Sequence, residues 1–163
     1  FKNIHQSLSI GNEDAPIKIV EFSDLECGYC KQAFYAVKDI IKKYKDDVYF
    51  EYRHFPLPNH KYAKEFAKGS ICAEKEGKGF DFIDLTFQNQ RNLSEINPVE
   101  FAEKLGLNIN DFESCLVDSS ARLILQHDIN EGNRIGVDST PTFIINEELF
   151  DGIPRVKDII DYL

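Results

Sequence analysis

Methionine and tryptophan are absent from the 163 residues, and Lys and Arg number 19 against 28 Asp and Glu. Each shortage excludes something. At a net charge of −9 no basic stripe exists to neutralise phosphates, which argues against nucleic acid and against docking on anionic lipid. No apolar run approaches the roughly 20 residues of a membrane span, so no stable membrane insertion is expected. The missing initiator Met reads as a processed or trimmed chain. No signal peptide is visible, and a mature exported protein would have lost it. Repeats and low-complexity tracts are absent as well. Cysteine is scarce: four residues, arranged as one close pair, Cys27 and Cys30, and two distant singles, Cys72 and Cys115. In a reducing compartment the singles would be inert thiols and in an oxidising one they could pair, with the tally leaning slightly toward export. Bulk for a single core is present in thirteen Phe and seven Tyr.

Residues 1–15 read as a lead-in, with Ser7–Ile10 a candidate edge strand and Gly11–Pro16 a turn. Ile17–Phe22 is nearly continuous in apolar character and reads as a buried central strand. Past Cys30 a helix is expected from Lys31, because Ala33, Phe34, Val37, Ile40, Ile41 and Tyr44 recur at helical spacing. Val48–His54 alternates as a strand does, and Phe55-Pro-Leu-Pro58 closes it. Strand, helix, strand makes a βαβ unit. Helices are then expected over Ala63–Glu76, Phe80–Gln90, Pro98–Leu105, Ile109–Val117 and Ser119–Arg134, with Asn97-Pro98 as a cap and first turn. Strand character returns at Pro141–Asn146, then near Leu149–Phe150, before a terminal helix from about Arg155.

The chemistry starts at Cys27-Gly28-Tyr29-Cys30, which lies between a strand and a helix. There the first sulfur meets unpaired N–H groups and the positive end of the helix dipole, which favours thiolate over thiol. Cys27 would be the exposed attacking sulfur and Cys30 the shielded resolving thiol. The same spacing could supply half a zinc site, but a zinc ribbon wants a second close pair, and Cys72 and Cys115 lie far apart. Glu21 interrupts the buried strand six residues before Cys27. It reads either as a buried acid able to relay protons to the resolving thiol or as a strand-end residue facing water or a Lys. Thr140-Pro141 opens a strand, a position Pro tolerates. A cis bond there would reverse the chain and leave the Thr140 backbone free to pair with an extended substrate. His54 and His60 flank the Pro-rich corner and are given no role. Tyr29 and Val137 are candidates for an apolar docking patch.

Taken together, the strand with Glu21, the CxxC at a helix start, Arg53-His-Phe-Pro-Leu-Pro-Asn-His60, the helical block and Gly136-Val-Asp-Ser-Thr-Pro-Thr-Phe143 resemble the DsbA-like thioredoxin-fold oxidoreductases. The resemblance spans roughly Ala15 to Leu163. It implies an α/β thioredoxin fold with an inserted helical domain: a core of residues 1–58 and 136–163, and an insertion of 59–135. It further implies that Cys27 is the nucleophile, Cys30 the resolving cysteine, Pro141 a cis-proline, Thr140 its specificity partner and Glu21 the buried acid. Residence in the periplasm or elsewhere outside the cytoplasm, a bacterial origin and reoxidation by a membrane quinone-linked thiol oxidase are implied as well. The clients would be reduced, unfolded proteins, the protein would act as a monomer, and no metal or organic cofactor is required.

One departure matters. Many such enzymes carry Cys-Pro-X-Cys with His or another polar group between the sulfurs, whereas Gly28-Tyr29 is similar to the dipeptide of periplasmic disulfide isomerases. Tyr29 brings no cation, so thiolate stabilisation must come from the helix terminus and backbone N–H groups. Those isomerases dimerise through a separate N-terminal domain for which this chain has no room. Disulfide isomerase or reductase activity and, from another class, a zinc-binding structural domain stand as the alternatives. Cys72 and Cys115 are either two unpaired core thiols or a structural disulfide of the kind some DsbA-like proteins carry.

Overall fold

The apolar pattern of Ile17–Ser23 (β2) is buried at most positions, while Val48–His54 (β3) alternates buried and half-buried side chains. A strand covered on both faces and one alternating with the pleat are the expected results of those two patterns. The structure, a computed structural model, describes residues 8–152. Leu8–Gly11 (β1), Thr142–Ile145 (β4) and Glu148–Asp151 (β5) complete a five-stranded sheet in the order β1-β3-β2-β4-β5. Only β2 and β3 run parallel; the other neighbours are antiparallel. The terminal helix expected from Arg155 lies outside the described residues.

Helix α1, Gly28–Lys43, crosses from β2 to β3. It starts at Gly28, not at Lys31 as its amphipathic pattern predicts, because Cys27 takes an extended conformation and acts as the N-cap. Its buried stripe is Cys30, Ala33, Phe34, Val37 and Ile40, with Lys42 and Lys43 at the negative end of the dipole. Between β3 and β4 come α2 (Ala63–Glu74), α3 (Gly79–Gln88), α4 (Pro98–Lys104), α5 (Ile109–Val117) and α6 (Ser119–Ile135). Asn97, Asn108 and Asp118 cap α4, α5 and α6 by accepting backbone N–H bonds. Gly136 ends α6 at φ 87, in the left-handed region that glycine adopts without cost. The expected helix through Gln90 stops at Gln88, and a 3-10 turn, Gln90–Glu95, follows it.

Rings join the helices to one another and, at Phe50, to the sheet. Phe34 packs on Phe87 (centroids 5.3 Å apart) and Phe50 on Phe80 (6.2 Å), while Phe82 touches Phe66, Phe101 and Phe112 at 6.4, 5.6 and 5.8 Å. On the other face, α6 comes close enough that a Cβ on Gly132 would lie 2.6 Å from the Phe55 ring. A disulfide joins Cys72 of α2 to Cys115 of α5 across 43 residues. Closing a loop of that length stabilises by about 4 kcal/mol in the chain-entropy account. We expect the double variant Cys72→Ala, Cys115→Ala to lose up to about that much in urea unfolding; an unchanged midpoint would contradict it.

Candidate active site at the Cys27–Cys30 turn

Beyond β2 the chain turns through Asp24-Leu25-Glu26 and enters α1. The turn is closed by the Cys27 N–H donating to the Asp24 carbonyl at 3.1 Å. Cys27 is half-buried, and no side chain caps the helix at that point. Cys30, in the first turn, is wholly inaccessible. Both are free thiols. Across from them the loop after α6 delivers Thr140 and Pro141, joined by a cis peptide bond. The Cys27 thiol donates to the Thr140 carbonyl at 3.5 Å, 113 residues away in sequence.

These surroundings separate the two sulfurs. The Cys30 thiol hydrogen-bonds to Cys27 and lowers its pKa to about 5, helped by the backbone N–H groups of Cys30 and Tyr29 and opposed by burial. Burial, then the neighbouring Cys27 sulfur, pushes Cys30 far above an ordinary thiol. The Asp24 N–H donates to Cys30 Sγ at 3.3 Å. These surroundings thus favour the thiolate at Cys27 and the thiol at Cys30.

Glu21 is inaccessible and sits in register between Tyr52 on β3 and Phe143 on β4. Neither carboxylate oxygen has a hydrogen-bond partner among the described residues, and the same is true of Ser23 Oγ and Tyr52 Oη beside it. Burial raises the Glu21 pKa to about 8; the adjacent Ser23 hydroxyl opposes the rise and the Cys27 charge adds to it. Such a carboxyl can hold or release a proton near neutrality.

A polar arc behind the turn was not anticipated from sequence. Asp24 Oδ1 accepts from the Glu26 N–H (2.7 Å), and Oδ2 accepts from the Leu57 N–H (2.7 Å) and from His60 Nδ1 (2.8 Å). Glu26 in turn accepts from the Tyr62 and Ala63 N–H groups at 2.7 and 3.0 Å. Gln90 Nε2 donates to the carbonyls of both Leu25 and Cys27, each at 2.9 Å. In sequence, Asp24 and Glu26 look like an ordinary polar loop, and nothing near Gln90 marks it. His54 is buried, lies 2.7 Å from Ser70 Oγ through Nε2 and has its pKa lowered to about 3 by burial, so it is a neutral core residue.

Tyr29 is 67% exposed and, with Gln32, Ser139, Thr140, Pro141 and Gly152, lines a shallow pocket beside the sulfurs. Val137 is 6% exposed and packs with Phe22 and Phe55, so it faces the core and not this pocket. Among the described residues no three His, Cys, Asp or Glu side chains are grouped as a metal site requires, and Cys72 and Cys115 are bonded to each other. The zinc alternative has no ligand set among the described residues.

Residues 3–163 match the thioredoxin family Thioredoxin_4. The Na(+)/H(+) antiporter NhaA 3 of Salinispora tropica is 32% identical over 137 residues, 83% of this chain and 21% of that protein. NhaA of Herminiimonas arsenicoxydans is 30% identical over 135 residues, again 83% and 21%. The chain therefore spans about a fifth of the length of the curated relatives it matches. Among solved structures, alpha-DsbA1 of Wolbachia pipientis superposes at TM-score 0.81 with 24% identity, over 96% of this chain and 88% of that one. DsbA2 of Pseudomonas aeruginosa gives 0.79 and 25%, over 94% and 90%. BdbD of Bacillus subtilis gives 0.81 and 21%, over 95% and 89%. With a family match over residues 3–163 and a fold that superposes on these structures over 94–96% of its length, the chain belongs to the thioredoxin family and has the DsbA-like fold.

Proposed function

We propose that the chain is a thiol:disulfide oxidoreductase that introduces disulfide bonds into exported proteins through the Cys27–Cys30 pair. The observation that carries this reading is the contrast between the two sulfurs, an acidic half-exposed thiol against the Thr140 carbonyl and a buried, strongly basic one behind it. In the oxidised protein a client thiolate attacks Cys27 Sγ, the Cys27–Cys30 bond breaks, and Cys30 leaves with the electron pair, taking up a proton for which Glu21 is the proposed donor. The client's second thiolate then attacks its own sulfur in the mixed disulfide and expels Cys27 as a thiolate. The client is oxidised by two electrons and the protein is reduced to the dithiol. An extended client would lie along the Thr140–Pro141 edge by strand addition, with Tyr29 beside it.

Residence outside the cytoplasm and reoxidation by a membrane quinone-linked thiol oxidase complete the proposal. So does the division into a redox core of residues 1–58 and 136–163 with an inserted helical domain, 59–135. The antiporter names of the sequence relatives are not carried over, because the match covers about a fifth of those proteins. No helix among the described residues is long and apolar enough to cross a membrane. A second reading, as an isomerase held reduced, is favoured by the Gly28-Tyr29 dipeptide alone.

Mixing the oxidised protein with a reduced, unfolded two-thiol client separates the readings. We expect the client's disulfide to form while Cys27 and Cys30 become free in equal amount, and Cys27→Ser to abolish it. A client left reduced, with scrambled disulfides repaired instead, would favour the isomerase. Because Tyr29 supplies no cation, the redox equilibrium with glutathione should also be less oxidising than that of a relative with His between the sulfurs. Equality with such a relative would refute this.

A further inference from the structure

The exchange steps above leave unused Asp24, a titratable group beside the redox turn. Asp24 is inaccessible, and five hydrogen bonds meet on that residue. Its N–H donates to Cys30 Sγ, its carbonyl accepts from the Cys27 N–H, and its carboxylate accepts from the Glu26 and Leu57 N–H groups and from His60 Nδ1. Two backbone N–H groups stabilise the carboxylate but do not cancel its charge. Three residues before Cys27, an uncompensated buried anion would oppose formation of the thiolate. A protonated His60 would supply the opposite charge. It reaches Asp24 at 2.8 Å from the far wall of the turn, on the corner after β3, with its ring about a quarter exposed.

We propose that His60 is a positioning residue for the redox reaction: held by Asp24, it supplies from outside the CxxC the cation that the Gly28-Tyr29 dipeptide lacks, and its proton favours the Cys27 thiolate. The inference rests on the reading of Cys27 as the attacking sulfur. The titratable groups that face His60 are Asp24, Glu26 and Cys27. Burial alone would lower its pKa, but the hydrogen bond and charge of Asp24, with Glu26 and then Cys27 adding to them, raise it. Coupling of this kind is reciprocal: if the Cys27 anion holds the His60 proton, that proton holds the anion. The consequence is a redox equilibrium that becomes less oxidising as pH rises past the His60 titration, beyond the change due to the thiols themselves.

The test is the pH profile of Cys27 alkylation by iodoacetamide in the reduced full chain, in parallel with its glutathione equilibrium. His60→Gln should lower the alkylation rate in the acid range and the oxidising equilibrium constant by about threefold each, the scale of a partly exposed charge pair. If the effect runs through Asp24, adding Asp24→Asn to His60→Gln should restore the profile, since the anion that needed cancelling is gone. A residue that merely braced the turn would give a worse double variant, and that result overturns the proposal, as does a His60→Gln profile that superimposes on the original. The unaltered protein provides a second reading independent of folding. The His60 ring, followed by NMR, should titrate at lower pH once Cys27 and Cys30 are joined, and equal titration in both redox forms overturns the proposal. Should Cys27 in the unaltered protein react only in alkaline solution, the reading of the nucleophile falls and this inference with it. An acidic Cys27 that ignores His60 defeats this inference alone.

Discussion

Glu21→Gln is expected to raise the unfolding free energy by about 5 kcal/mol in alkaline solution and to leave it nearly unchanged in acid. The folded pKa of Glu21 is raised from 4.5 to about 8 by burial. Below 4.5 both folded and unfolded chains hold the proton, so the residue contributes nothing to the pH dependence. Between 4.5 and about 8 the folded chain holds a proton that the unfolded chain releases, so stability falls as pH rises, by about 1.4 kcal/mol for each step of pH. Above about 8 the loss is complete, and glutamine, which never ionises, avoids it. The oxidised protein is the form to measure, because its redox cysteines do not titrate and burial, the main cause, persists. His54, lowered to about 3, and Asp128, raised to about 7 by burial, titrate alike in both proteins and cancel in the difference. Urea unfolding across this range should give two stability curves that converge in acid and diverge in alkali; parallel curves would contradict the assignment. On the proposed role of Glu21 as proton donor and acceptor for Cys30, the same change should also slow exchange.

A single fast alkylation at Cys27, beginning well below neutrality, is the second large effect expected. With its pKa at about 5, Cys27 is mostly thiolate at pH about 6, where an ordinary thiol is ionised about 300-fold less. Part of that advantage is lost, because a less basic thiolate is also a weaker nucleophile. With a Brønsted slope of about 0.4–0.5 the net gain at that pH is about tenfold over a free cysteine. Cys30 should stay unmodified in the native protein, being inaccessible and protonated, and should react once the chain is unfolded. Peptide mapping after a brief iodoacetamide pulse reads both outcomes. Adducts at both positions, or a rate that rises only in alkali, would remove the basis of the proposed chemistry.

Local and periodic features of the site were legible in the sequence; features that depend on distant segments meeting were not. The apolar run of β2, the alternation of β3 and the stripe Ala33-Phe34-Val37-Ile40 each follow from a period of 2 or 3.6, and placed the CxxC between a strand and a helix. The amphipathic pattern of α1 marks its start three residues late, because Gly28 is a poor helix former and Cys27 lacks a conventional cap side chain. Nothing local announces the turn Gln90–Glu95, because no Gly or Pro marks the end of α3. Val137 follows a glycine in a polar loop and looks exposed, but the close approach of α6 at Gly132 turns it onto Phe22 and Phe55. The contacts of Asp24 with His60, and of Gln90 with the Cys27 carbonyl, span 36 and 63 residues. No local pattern encodes them.

The Gln90 amide, together with Tyr62 and Ala63, has a bearing on anyone who would trim this protein to a minimal scaffold. These residues belong to the stretch between the third and fourth strands, yet their donors end on Leu25, Glu26 and Cys27. Excising that stretch would strip the reactive loop of its outer scaffolding as well as removing apolar mass. A shortened derivative would keep its two sulfurs but need substitute anchors, designed in, to aim them.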